Sequence, residues 1–351
     1  MKVRIMISLI VIGLLGGCWD NKDINHRALP IAMGISYEQG SYEIYLDIPK
    51  VSESDQGIQV IKAKGSSISS AFDQISMNME SQVDLLHLKV ILVNKAFAIH
   101  GLNEVTASFI RSRHVSPKTV ISICDEPLDQ FFKKINLLNN GDGKEIYDFF
   151  QKNAGWNPEI AYTPLWKVFR SIHSYTNDVV LPIIESGETT AIQSKGAGII
   201  KNGRMVGRLN NDQTLLYNVF DGNSLDGKIE VMGKATVQIA STRIHHESKF
   251  VDNQPVLNSR LILRVIILDV IGEPSMEVIK TELQSLLQRI LNQIFKKIQS
   301  VNADIFGIGQ HFRDDLPRTE LAKWRTKYLP EAKINLEVKT TIRNTGNLKL
   351  H

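Results

Sequence analysis

Residues 275–299 carry the pattern that limits the fold most. Leu283, Leu286, Leu287, Ile290, Leu291, Ile294 and Ile298 form one continuous apolar stripe at helical spacing. Glu277 and Glu282 sit near its start and Lys296 and Lys297 near its end, which suits the helix dipole. Each such Leu or Ile contributes about 1.5–3 kcal/mol when fully buried, so a stripe of this length demands a surface to cover it. The flanking sequence supplies that surface. Residues 228–231, 235–245, 248–251 and 257–271 read as strands. Residues 332–342 form a final one, with Ile334, Leu336 and Val338 alternating against Lys333, Asn335, Glu337 and Lys339. The reading is a C-terminal α+β domain over 227–351, with the long helix 275–299 laid on a sheet.

The earlier chain alternates strands with helices. Residues 31–37, 42–51 and 57–64 are strand candidates, the first two joined by a hairpin-like turn at Glu38–Ser41. Tyr42, Ile44, Leu46 and Ile48 share one face of the second strand, with Glu43 and Asp47 on the other. Ile68, Phe72, Ile75 and Met79 then make a helical stripe over 66–79, with serines available to cap it. Residues 85–93 read as a strand apolar on both faces, suited to the middle of a helix-covered sheet. A helix over 101–110, a strand over 119–124, a helix over 127–138 and a last helix over 162–173 complete an N-terminal α/β domain, 31–188. Pro158, Pro164 and Pro182 place its boundary within 155–190. A small middle hairpin-helix domain, 189–226, follows. Strands 195–201 and 204–209 flank Asn202-Gly203, a strong hairpin signal. Asn210 caps a helix with Gln213 as its reciprocal partner, and Leu215, Leu216, Val219 and Phe220 form the apolar side. The fold class is therefore α+β (mixed α/β), in three domains, each a mixed or antiparallel sheet with packed helices.

Residues 1–17 resemble a secretory leader of the lipoprotein type. Lys2 and Arg4 precede an apolar run over 5–15, and Leu15-Gly16-Gly17 leads into Cys18. As a helix that run reaches only about 16 Å, against a hydrocarbon core of roughly 30 Å, too short for a comfortable span. Cys18 is expected to be the lipidated residue, carrying S-diacylglycerol and an N-acyl chain after cleavage behind Gly17, with 18–30 as a tether. With Lys2 and Arg4 removed, 39 basic residues face 37 acidic ones, and no basic stripe or block points to nucleic acid. If Cys18 carries lipid, Cys124 has no disulfide partner; it reads as a small buried hydrophobe in a strand.

No pattern of catalytic, cofactor-binding or metal-binding residues emerges. Asn139–Gly143 lacks the alternating acids and closing Glu of a calcium loop. Gly196-x-Gly198 lies inside a strand before a hairpin, so no helix N-terminus is available to hold phosphates. His245-His246-Glu247 is the densest cluster of metal-ligand types. Adjacent strand residues face opposite ways, however, and the cluster reads as a solvated turn. No Gly-x-Ser-x-Gly or His-Glu-x-x-His occurs, which leaves an envelope hydrolase without a recognisable nucleophile or metal motif.

Several segments in order resemble the Ger(x)C family of spore germination lipoproteins. They are Gly17-Cys18-Trp19-Asp20 with Ile24, then His87-Leu88-Lys89-Val90-Ile91. Lys195-Gly196 through Val206-Gly207 to Leu209-Asn210 follow, with Thr214 in the next helix. Last come Ala303-Asp304-Ile305-Phe306-Gly307-Ile308-Gly309 and Trp324. Gly34-Ile35-Ser36 departs from the usual Gly-Ile-Asp after the first strand. The resemblance implies three mixed α/β domains without a known catalytic site, hence no enzyme. It also implies the C subunit of a nutrient germinant receptor, anchored through Cys18 to the outer face of the spore inner membrane beside integral-membrane A and B subunits. The alternative is a solute-binding lipoprotein of a membrane transporter, which requires two similar lobes around a hinged cleft.

Overall fold

The computed structural model of the chain describes residues 27–50, 57–112, 114–138, 145–151, 158–222 and 227–343. The anchor position Cys18, the leader, the start of the tether and the Asn139–Gly143 loop lie outside them. Strands β1 (Arg27–Ala28), β2 (Ala32–Glu38), β3 (Ser41–Lys50) and β4 (Gly57–Gly65) precede helix α1 (Ile68–Asn78). Then come β5 (Gln82–Val83), β6 (Val90–Asn94), α2 (Lys95–His100), α3 (Asn103–Ser112), β7 (Val120–Cys124), α4 (Leu128–Leu138), α5 (Glu145–Phe150) and α6 (Leu165–Ile172). Strands β8 (Val179–Ser186), β9 (Ile192–Lys201) and β10 (Arg204–Leu209) lead into α7 (Asn211–Phe220). The chain continues with β11 (Lys228–Val231), β12 (Ala235–Val251), β13 (Gln254–Val270), α8 (Met276–Val301), α9 (Arg318–Leu321) and β14 (Lys333–Ile342).

Eight strands form one sheet in the order β10-β9-β8-β7-β6-β2-β3-β4. Its centre, β2-β6-β7-β8, is parallel, and antiparallel hairpins close both edges. The central strands are apolar on both faces because helices cover both. In β6, Ile91 and Val93 enter one core with α1, α2, α3 and α6, while Val90 and Leu92 enter the other with α4 and α5. A second sheet runs β11-β12-β13-β14, antiparallel except for the parallel β13–β14 pair. Helix α8 lies against it, burying Ile279, Leu283, Leu287, Leu291, Ile294, Phe295 and Ile298. Ser275 caps that helix and Asn302 ends it in the left-handed conformation. The third sheet is the short parallel β1–β5 pair, held by an Arg27–Asp84 ion pair.

Four features differ from, or add to, the sequence reading. First, the hairpin expected within a middle domain over 189–226 has no sheet of its own. Strand β9 pairs with β8, extending the eight-stranded sheet. The Asn202-Gly203 turn, with φ values of 49° and 78°, packs its tip at the start of α3, where Leu102 N, just before that helix, donates to Gly203 O at 2.8 Å. Second, the face of β3 that carries Glu43 and Asp47 is itself covered, by α4 and α5, and Asp47 is buried there with Tyr45. Third, 85–93 is a strand only from Val90, because Asp84 accepts from Leu86 N and turns Leu85–His87 into a 3-10 segment. Fourth, His245-His246-Glu247 sits mid-strand in β12; the turn falls later, at Asp252-Asn253.

Candidate functional site

The two large sheets meet along a seam where the described residues place their densest buried polar cluster. Helix α8 delivers the chain into a loop, 303–309, whose Asp304 is fully buried. The Asp304 carboxylate accepts from Ile308 N, Gly309 N and Trp324 Nε1, each at 2.8 Å. Its backbone exchanges two hydrogen bonds with Asp178 at the entry to β8: Asp304 N donates to Asp178 Oδ2 and Asp178 N donates to Asp304 O, both at 2.7 Å. Asp178 in turn holds Arg325 in a two-pronged pair, with Nε and Nη2 each at 2.8 Å, and Nη2 also reaches Ser174 O at 2.7 Å. This planar fork suits a guanidinium and not an ammonium. Burial pushes the Asp304 carboxyl up to about 7, against the three N–H donors that favour its ionised form.

Local structure explains this convergence. Gly307 takes a left-handed φ of 64°, which turns the chain so that Ile308 N and Gly309 N both point back at Asp304. A Cβ on Gly309 would lie 2.6 Å from the Trp324 indole, so only glycine lets that ring close over the carboxylate. Trp324–Tyr328 is a single π-type turn, and it aims Trp324 and Arg325 into the seam together. Lys297 Nζ, on α8, donates to Arg208 O at 2.8 Å and Gln213 Oε1 at 3.2 Å; Lys201 Nζ, on β9, donates to Val301 O at 2.8 Å. Helix α7 fills the space between, buried from Gln213 to Phe220, with Asn210 and Gln213 forming the reciprocal cap expected from sequence. The arrangement leaves these carboxylates saturated with donors. Its chemistry is to hold the two units as one body.

The other singled-out residues lie elsewhere. Cys124 is buried in the sheet core, and burial pushes its thiol up to about 12, which makes it inert at neutral pH. His245 faces outward and His246 inward, where Nδ1 lies 2.9 Å from Ser259 Oγ and the ring packs 4.6 Å from that of His311. Burial, then the neighbouring His311 and His245, lower His246 to about 4. Gly196 has a φ of 89° within β9, and a Cβ there would meet Leu209 O at 2.1 Å; it is a close strand contact, not a phosphate loop. The segments 195–210 and 303–309 and Trp324 all converge on the seam, whereas 87–91 lies at the start of β6. Sequence reading missed Asp178 and Arg325, which are separated by 147 positions with no motif to join them.

This geometry defines a class: a multi-part α+β scaffold whose two main units share a core and a buried ionic lock. The family profile "Spore germination protein N-terminal domain" matches residues 20–186, and "Spore germination B3/GerAC like, C-terminal" matches 195–346. The chain belongs to this GerAC-like family of spore germination proteins, the C-subunit family of germinant receptors. It is 22% identical to spore germination protein KC of Bacillus subtilis (strain 168), an alignment covering 99% of this chain and 95% of that protein. It is 24% identical to spore germination protein A3 of the same organism, over 58% of this chain and 56% of that protein. The crystal structure of the GerBC protein superposes with a TM-score of 0.58 at 18% identity, covering 92% of this chain and all of that one, which shows a shared fold. The first profile ends with β8 and the second begins inside β9. The eight-stranded sheet therefore crosses from one to the other, with β9 and β10 on the C-terminal side.

Proposed function

We propose that the chain is a non-enzymatic, lipid-anchored subunit of a spore germinant receptor, required for nutrient-triggered germination. It sits on the outer face of the spore inner membrane and acts by associating with integral-membrane A and B subunits. The observation that carries this reading is the near-complete family match, 20–186 and 195–346, which begins two residues past Cys18. Among the described residues no helix is long and apolar enough to cross a membrane, so a lipid at Cys18 supplies the attachment. A single acyl chain binds membranes only marginally, whereas a diacylglycerol with an N-acyl group makes the attachment stable. The nine residues from Cys18 to Arg27 extend at most roughly 30 Å, which keeps the body close to the bilayer.

A solute-binding lipoprotein would need two similar lobes around a hinge. An eight-stranded and a four-stranded sheet fused through a shared core do not favour that alternative. Chemical crosslinking in spore membranes, read by mass spectrometry, tests the partnership. Crosslinked peptides joining this chain to multi-spanning receptor subunits are expected. Crosslinks confined to a transporter of another class would overturn the reading.

A further inference from the structure

A second feature of the seam is open to solvent. Beside the buried lock, α6 of the first unit and the 305–306 segment of the second wall a cleft of about 540 Å³. That volume falls within the range of small-molecule sites, which favour such junctions. Its walls combine flat apolar surface with uncompensated positive charge. Trp166 is 42% exposed, an unusual condition for the bulkiest side chain in the unit, and Arg170 stacks over it one turn along with its guanidinium 5.1 Å from the ring. Phe306, from the second unit, also lines the cleft, packed against the rings of Phe220 and Phe295 at separations of 4.6 and 5.1 Å. Lys167 is offset by Asp221 at 3.5 Å, whereas Lys118 and Arg170 have no carboxylate partner among the described residues.

The hydroxyl of Tyr217 adds a polar group to the lining. This side chain is only 4% exposed and lines the cleft, yet its hydroxyl has no hydrogen-bond partner among the described residues. The hydroxyl is thus free to donate to a group seated in the cleft. Burial, then Asp221, raise the phenol's pKa, so the group stays protonated as a donor. The Asn177 amide, from the segment that anchors the lock, also lines the cleft.

We propose that this cleft binds a small, flat organic anion, an aromatic carboxylate in class. Its ring lies between Trp166 and Phe306, its carboxylate meets Arg170 and Lys118, and an acceptor atom takes the Tyr217 hydroxyl. Such a ligand touches both units and tightens the seam without a hinge. The inference is independent of receptor membership, since it rests on the cleft alone.

Calorimetric titration of the full chain with naphthalene-2-carboxylate, and in parallel with the neutral naphthalene-2-carboxamide, tests it. One-to-one saturable binding of the carboxylate is expected, with the carboxamide weaker by roughly tenfold, the loss of one charge-assisted contact. Arg170→Ala should weaken carboxylate binding by about tenfold, and Tyr217→Phe by about fivefold, the worth of one hydrogen bond. Tyr217→Phe removes a hydroxyl that bonds nothing in the protein, so its thermal midpoint should match the parent and keep the loss interpretable. Absence of saturable binding, equal affinity for the two probes, or binding indifferent to both substitutions would overturn the proposal.

Discussion

Asp178 and Arg325 are the residues on which the joined body depends most. Asp178 has no side-chain exposure and Arg325 only 10%, so removing one partner strands the other in a dry environment. Arg325→Ala should cost about 3–5 kcal/mol in urea unfolding, and the double variant Asp178→Asn/Arg325→Ala should cost less than the sum of the singles. Additive losses would mean the pair does not act as a unit. His246 sets a pH dependence of determinate sign. Its folded value, about 4, lies below the ordinary 6.5, so the folded state holds fewer protons than the unfolded chain between those limits. The stability this group contributes is present above pH 6.5 and lost as pH falls towards 4. Asp47 and Asp304, both pushed up to about 7, act the other way and lose their contribution as pH rises through that range. The informative quantity is thus the gap between the parent and His246→Gln. That gap should narrow between pH 7 and pH 4.5 in paired denaturation curves, and a constant gap would refute the assignment.

Among the elements, α8 and the β9–β10 hairpin show what sequence could and could not reveal. The helix was legible because its apolar stripe, its Ser275 cap and its charge gradient agree, and the structure buries five of the seven stripe residues, with Leu286 and Ile290 partly buried at its margin. Leu287→Ala should therefore cost about 2–5 kcal/mol, while Val278→Ala, at a position 39% exposed, should be near neutral. Equal effects at the two positions in thermal melts would contradict the buried face. The Asn202-Gly203 turn and the Asn210–Gln213 cap were equally legible, because both are local chemistry. What hydrogen-bonds to β9 was not, since strand pairing is long-range and its sequence carries no address for β8. Asp47 shows the same limit: alternation marks two faces, but only the arrival of α4 and α5 decides that both are dry. The seam was half legible. The glycines and Asp304 stand out in the 303–309 segment, whereas Asp178 and Arg325 look like ordinary surface charges until the units close on each other.

In the whole molecule, a single core passes from Val180, Ala197 and Ile199 in the eight-stranded sheet through α7 to the four-stranded sheet and α8. Continuity of this kind predicts one cooperative unfolding transition by scanning calorimetry, and two resolved transitions would show the units to be independent. In the proposed receptor, a body that unfolds as one unit would meet membrane-embedded partners in one fixed pose. In the proposed reading a lipid at Cys18 would set that pose, so the most direct measurement joins chemistry to physiology. Spores carrying Cys18→Ala would be compared with the parent for incorporation of labelled palmitate into this chain, for its recovery in the membrane fraction, and for germination in nutrient. The expected result is loss of label, release from the membrane fraction and failure of nutrient-triggered germination. A Cys18→Ala chain that stays with the membrane and supports full germination would contradict the anchored-subunit reading.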